Sequence, residues 1–167
     1  MNWLLGHRVV ALGTAAQSAL ARFFESLGAT VVATSMEDLG LQLADASFLV
    51  EDLGLPRLAD AGWSRDRLQQ NSPRLIHVSI TPFGSDAPRG LWLGNELIAS
   101  AMSGVLRLTG SPDRAPVKEA LDACCFHADM VGAAGAMAAH FERGAGAIDL
   151  GLGIVDVDLE IGDGLFE

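Results

Sequence analysis

The chain has 167 residues, a formal charge of −10, and a composition that is 50% hydrophobic but only 6% aromatic; that length makes one domain over residues 1–167 the default and allows a sizeable core. The acidic balance argues against a nucleic-acid groove, which needs clustered Lys and Arg, although a small acidic metabolite can still bind at local arginines or helix N-termini. No run of 18 apolar residues occurs, so no transmembrane helix and no membrane partner is expected.

The apolar opening places Arg8 after its first apolar residues, which reads as a first strand rather than a signal peptide. Residues 8–12 (RVVAL) predict a buried strand. Over residues 15–27, Ala16, Leu20, Phe23, Phe24 and Leu27 fall near helical spacing, and Gly28 is a natural C-terminal cap. Residues 30–34 (TVVAT) predict a second strand, completing one right-handed βαβ unit with parallel strands. The first turn, Gly13 to Ser18, has one glycine where a dinucleotide fingerprint needs three, and Ser35 and Met36 stand where its acid belongs. It reads as an ordinary tight turn.

Residues 36–46 predict a short connecting helix or loop, and 47–50 a third strand, followed by Glu51-Asp52-Leu53-Gly54. Pro56 breaks regular structure. Ser64 is an N-cap for a short helix over 65–70, with Asp66 suited to its first turn. Residues 74–80 predict a fourth strand. His77 within it reads as a partly buried strand histidine with a satisfied hydrogen bond, not as a catalytic group.

Residues 81–90, dense in proline and glycine, predict an irregular loop. It follows the C-terminal end of a strand, where open α/β sheets hold their ligands. Asn95 caps a helix expected to run to about Leu106, and 110–116 form a turn-rich connector. Residues 126–143 predict an Ala-rich helix whose Gly132 and Gly135 signal tight packing. Cys124 and Cys125 are adjacent and are the only cysteines, so no disulfide framework forms, which fits a reducing cytoplasm. The tail, 147–167, alternates with period two and slips phase near Gly153, predicting one or two strands with a bulge or turn. Its Asp156, Asp158 and Glu160 read as a charged strand exterior that blunts a sheet edge rather than as a metal cluster. The fold class is therefore α/β: an open, mostly parallel Rossmann-like sheet with flanking helices and C-terminal strand or strands.

Separate blocks of the chain carry a family resemblance. The most specific is Asn71-Ser72-Pro73-Arg74-Leu75-Ile76, Val78-Ser79-Ile80-Thr81, Phe83-Gly84, Leu97-Ile98-Ala99, Ala101-Met102-Ser103-Gly104, Leu108-Thr109-Gly110 and Pro116-Val117-Lys118. With Gly6 to Val32 and Ala44 to Leu53 upstream, this text resembles the family III CoA-transferases, which include formyl-CoA transferase, carnitine CoA-transferase and α-methylacyl-CoA racemase. The resemblance covers residues 4–152. It implies a Rossmann-like fold that binds coenzyme A or acyl-CoA as ligand, with no metal. It places CoA against Thr14, Ala15 and Gln17 in the first loop and against Glu51, Asp52 and Leu53 after the third strand. In such enzymes an aspartate attacks the thioester, passing through a mixed anhydride and an aspartyl-CoA thioester. In the racemase branch an aspartate works with a histidine on the α-proton.

Counting forward from Lys118 and back from Glu142-Arg143 gives the same register, and it puts Cys125 at the nucleophile's position. Asp122 and Asp129 lie three residues before and four after, roughly on one helical face with it. Cys125 and Asp129 are thus the catalytic candidates, and a thiol serves only if its pKa is lowered; no Lys or Arg lies close in sequence. Further departures are a missing Gly-Pro in the first loop, Pro82 between Thr81 and Phe83, Glu51-Asp52-Leu53 for Glu-Asn-Phe, Asn95-Glu96 for Tyr-Asp, and a shortened spacer between the second and third strands. Family enzymes are longer, carry a second domain and form interlocked dimers. The resemblance therefore implies a homo-oligomer, or a partner chain supplying the missing domain. Two functional expectations follow: an acyl-CoA transferase or racemase-type enzyme, or a degenerate domain that binds CoA weakly or only pairs with a partner.

Overall fold

The computed structural model describes residues 2–84 and 89–144 and, as backbone, 153–158. Its centre is a parallel sheet of β1 (Arg8–Leu12), β2 (Thr30–Thr34), β3 (Phe48–Glu51), β4 (Ile76–Thr81) and β5 (Gly153–Asp158), in the order β2-β1-β3-β4-β5. All four pairings are parallel. The chain winds outward from β1 to β2, then returns to the other side of β1 with β3. That reversal between β1 and β3 opens a crevice beyond the carboxyl ends of the strands.

The alternation of the β1 and β3 side chains builds two cores. Val9, Phe48, Val50, Ile76 and Val78 face α1 (Ala19–Ser26) and α7 (Ala123–Gly144), together with Leu20, Phe24, Ala133 and Ala136. Val10, Leu12 and Leu49 face the opposite layer, where Leu39 of α2 (Leu39–Gln42), Leu58 of α3 (Leu55–Asp60) and Leu68 of α4 (Arg65–Asn71) are buried. Each fully buried Leu or Phe contributes about 1.5–3 kcal/mol. Ala133, Ala136 and the buried Gly132 let α7 lie close to the sheet, the tight packing expected of its small residues.

Local chemistry moved several boundaries. The helix expected over 15–27 is a 3-10 turn at Gly13–Gln17 followed by α1. Ser18 separates them because its extended backbone frees its side chain to accept the Ala21 N–H at 3.1 Å. The helix expected to reach Leu106 splits into α5 (Glu96–Met102) and α6 (Val105–Leu108), since Gly104 takes φ +80 between them. α7 starts at Ala123, earlier than the expected 126, for a reason given below. Ser64 and Asn95 cap α4 and α5 as read from the sequence, accepting from Arg67 and Ile98 N–H. β5 lies in the predicted tail and occupies a sheet edge, with Asp156 and Asp158 in register with Ser79 and Thr81. The remaining tail positions, Glu160 included, lie outside the described residues.

Candidate functional site

Beyond the strand ends lies a cleft of about 460 Å³. It gathers residues from five separate parts of the chain: Thr14, Ala15 and Gln17 after β1, Glu51 and Asp52 at the end of β3, Thr81 and Pro82 at the end of β4, Asn95 and Ala99 of the α5 region, and Cys125, Ala128 and Asp129 of α7. Of the eight residues singled out from the sequence, seven line this one cleft. Leu53 is the exception. It packs against the second core, and its N–H donates to Glu51 Oε2 at 2.6 Å.

The first wall is fixed by a turn that only glycine tolerates. Gly13 has φ +71, and a Cβ there would stand 2.6 Å from Asp52 Oδ1. Asp52 Oδ2 accepts the Thr14 N–H at 3.2 Å and, in a shorter bond, the Thr14 hydroxyl. The loops after β1 and β3 are thereby tied together across the switch point. The opposite wall is the segment Trp92–Gly94, where a Cβ on Gly94 would meet Pro82 Cβ at 2.6 Å and the Trp92 ring packs edge-on to Phe83 at 5.9 Å.

Glu51 supports the floor from below. It is fully buried; Oε1 faces His77 Nε2 at 3.1 Å, and Oε2 accepts the Leu53 and Gly54 N–H groups at 2.6 and 2.7 Å. Burial alone pushes this carboxyl up, but His77, Ser79 and the Gly54 amide outweigh it and leave its pKa below the ordinary value. His77 is thus a core residue, more deeply buried than its sequence suggested, and its Nδ1 has no partner among the described residues.

The α7 end of the cleft is set by a residue that sequence reasoning did not single out. Glu96 reaches across from α5 and caps α7: Oε1 accepts Cys124 N–H and Oε2 accepts Cys125 N–H, each at 2.9 Å. The Ser100 hydroxyl donates to Oε1 at 3.0 Å. Burial raises the Glu96 pKa, yet these donors and the partial positive charge of a helix N-terminus prevail, leaving it at about 2. This long-range cap explains the early start of α7. The pairing spans 28 residues of sequence to Cys124, and no local motif signals it. Asn95-Glu96 stood out only as a departure from a family pattern.

Cys125 feels the same carboxylate from the other side. Cys125 is exposed, yet desolvation of its thiol at the cleft wall, then Glu96, Asp122 and Asp129, push it up to about 12. Asp129 is itself committed: Oδ2 accepts the Ala19 N–H at 2.7 Å, so it caps α1 across the cleft. Burial raises its pKa, while the Ala19 and Leu20 amides and Arg22 pull the other way and lose. Two helix N-termini therefore point at the cleft, and each already holds a carboxylate of this chain. Arg57 is the one cationic side chain among the described lining residues. Among the described residues no group of three or more His, Cys, Asp or Glu is arranged to hold a metal ion, and no helix is long and apolar enough to cross a membrane.

A parallel sheet with a strand-order reversal and a cleft beyond its carboxyl edge defines an open α/β domain. The profile of CoA-transferase family III matches residues 39–151, and the chain belongs to that family. It is 36% identical over 73 residues to the succinate–glutarate CoA-transferase of Agrobacterium fabrum, a match covering 44% of this chain and 18% of that protein. It is 38% identical over 79 residues to a subunit of the succinyl-CoA:(R)-benzylsuccinate CoA-transferase of Thauera aromatica, covering 45% of this chain and 19% of that protein. A crystal structure of a CaiB/BaiF family protein from Brucella suis superposes with a TM-score of 0.83 at 21% identity, over 93% of this chain and 53% of the other. The fold is shared, and the chain spans about half the length of that solved structure.

Proposed function

We propose that this chain is a CoA-transferase family III domain, one domain over residues 1–167, that binds CoA or an acyl-CoA in the cleft without forming a covalent acyl intermediate on Cys125 or Asp129. The observation that carries the reading is the setting of Cys125 among Glu96, Asp122 and Asp129, with its thiol pushed up to about 12. A thiol attacks a thioester as thiolate, and three carboxylates oppose that charge. Asp129 is a poor substitute, because its carboxylate holds the α1 amides. Glu96 is held as an anion of pKa about 2 by two amides, which makes it a weak nucleophile.

What supports ligand binding is the convergence of Thr14, Ala15, Gln17, Glu51 and Asp52 on the cleft, together with a family whose members act on CoA thioesters. Thr14, Ala15 and Gln17 would line the pantetheine arm, Asp52 would keep the first loop in place through Thr14, and Arg57 would be available to a phosphate. Glu51 and Leu53 would act by holding the turn after β3. The two free cysteines support a reducing, cytoplasmic setting.

A second reading, that the chain serves as the non-catalytic partner of a longer or heteromeric CoA-transferase or as a dimer, is favoured by an apolar surface. Trp92, Leu93, Leu97, Leu108, Leu121 and Phe126 are exposed on the side of α5, α6 and the start of α7. One experiment separates the readings. Calorimetry with CoA is expected to show binding, and intact mass after incubation with acyl-CoA is expected to show no adduct. An acyl or CoA adduct on Cys125 or Asp129 would restore the enzymatic reading; absence of CoA binding would leave only the partner role.

A further inference from the structure

The cleft's charge pattern carries a statement about the acyl group. Its α7 end is lined by Cys125 and Asp129, with Glu96 directly behind the Cys125 amide. An incoming anion would ordinarily be received there by the helix N-termini. Both are taken: α1 by Asp129, α7 by Glu96. Lys118 is paired with Asp122 at 3.1 Å, and Arg22 acts on Asp129. Arg57, the cation of the cleft lining, stands on α3 beyond the end of β3. A second carboxylate on an acyl chain that reached the α7 end would therefore meet acids there and two helix N-termini already occupied, which is costly in a partly desolvated cleft.

A second observation points to what the cleft does accept. Thr81 lines it at the end of β4, is only 6% exposed, and its Oγ1 has no hydrogen-bond partner among the described residues. A buried hydroxyl left unpaired is destabilising. A carbonyl oxygen lying against it would satisfy it. Val50, Ile80, Ala99 and Ala128 add apolar lining to the same cleft.

We infer that the cleft selects CoA thioesters of uncharged acyl groups over those of dicarboxylic acids, with the Thr81 hydroxyl donating to the thioester carbonyl. Thr81 is on this account the contact that separates an acyl-CoA from free CoA, and the Glu96 and Asp129 carboxylates separate uncharged acyl groups from those with a distal negative charge. The inference rests on the reading that the cleft binds CoA species, and it narrows that reading to one substrate class.

Butyryl-CoA and succinyl-CoA test it, because both present four-carbon acyl groups and only the second ends in a carboxylate. Titration calorimetry of the wild-type chain with CoA, butyryl-CoA and succinyl-CoA is expected to show butyryl-CoA binding about tenfold tighter than succinyl-CoA. Thr81→Val, which keeps the shape and removes the hydroxyl, is expected to weaken butyryl-CoA about three- to tenfold while leaving free CoA unchanged; Thr81→Ser is expected to keep most of the affinity. Equal or tighter binding of succinyl-CoA by the wild-type chain overturns the inference with no variant required, and so does an unchanged butyryl-CoA affinity in a folded Thr81→Val. If CoA itself fails to bind, the underlying reading fails, a result distinct from CoA binding without discrimination.

Discussion

Glu96 Oε2 accepts the Cys125 N–H at 2.9 Å, so one carboxylate both starts α7 and stands beside the thiol of the residue it caps. Structure and chemistry are opposed here. The cap is strongest when Glu96 is ionised, and the ionised carboxylate is what disfavours a Cys125 thiolate. The interaction that stabilises the helix start is thus the one that works against ionisation of the Cys125 thiol.

The first prediction concerns thiol reactivity. Cys125 is exposed, whereas Cys124 is buried against Ser100 and Ser103. Exposure alone would make Cys125 an easy target for iodoacetamide. With its pKa moved from 9.0 to about 12, the thiolate fraction near pH 8 falls roughly a thousandfold below that of an ordinary thiol. Labelling followed by intact mass is expected to be slow at pH 8 and to rise steeply only in strong alkali. Glu96→Gln is expected to accelerate it several-fold. Rapid labelling of the native chain at pH 7–8 would contradict this electrostatic account.

A second prediction follows from the same carboxylate and concerns acid. The folded-state pKa of Glu96 is depressed to about 2 from 4.5. The stabilisation is therefore fully present above about 4.5 and is lost as pH falls from there towards 2. Its size is on the order of 2–3 kcal/mol, taken below the full value of the shift because part of the residue meets solvent. Glu51, also depressed, adds in the same direction. Asp129, raised, opposes them, since its ionisation is disfavoured in the folded state. Glu96→Gln keeps an acceptor but loses the charge, and is expected to cost about 1–2 kcal/mol at pH 7. Urea unfolding at pH 7 and pH 4 is expected to show the variant losing less than the wild type between the two.

A third prediction tests the tie between the loops of the cleft. Gly13→Ala imposes a side chain at φ +71 and drives its Cβ to 2.6 Å from Asp52 Oδ1. The left-handed backbone alone costs about 1–2 kcal/mol, and relief of the clash must pull Asp52 away from Thr14. Thermal melts are expected to show the lost stability and calorimetry a weakened affinity for CoA. An unchanged melting temperature would mean that the β1 turn relaxes freely and that the tie does not shape the cleft.

The sheet was legible because strand-forming runs are local. RVVAL and TVVAT match β1 and β2 residue for residue, and Ser64 and Asn95 announce their helices through bonds three residues away. The cleft was partly legible: of the residues that the family resemblance pointed to, all but Leu53 line one cavity. The gaps lie in contacts that sequence spacing does not encode. Nothing in the text around Glu96 states that its carboxylate will reach α7. Nothing around Asp129 states that it will cap a helix 110 positions earlier. Asp129 read as a neighbour of a reactive position and Glu96 only as a departure from a family pattern, and each is a structural cap because the fold brings a helix N-terminus to it. The 3-10 turn before α1 was hidden in the same way, since Ala15, Ala16 and Gln17 are all good helix formers.

The last prediction is set at the other end of α7, where His140 packs its ring edge-on against His7 at 4.6 Å and beside Phe48 at 5.7 Å. His7 Nδ1 is engaged with the Ser47 hydroxyl at 2.8 Å, so the stack joins α7 to the start of β1 and the segment before β3. Burial, then His7, then Arg143 hold the His140 pKa below its ordinary value. The folded state therefore favours neutral His140, and in the unfolded chain the residue takes a proton more readily. The stability this provides is present above about pH 6.5 and declines as pH falls below it towards the folded-state pKa. His140→Phe keeps a ring against Phe48 and removes the titration. The wild type is expected to lose about 2–4 °C of melting temperature between pH 7 and pH 5 that the variant keeps. Parallel melts of both chains across that interval, with Glu96→Gln as a control whose titration lies at lower pH, check it. A variant that loses as much as the wild type would move the pH sensitivity elsewhere in the fold.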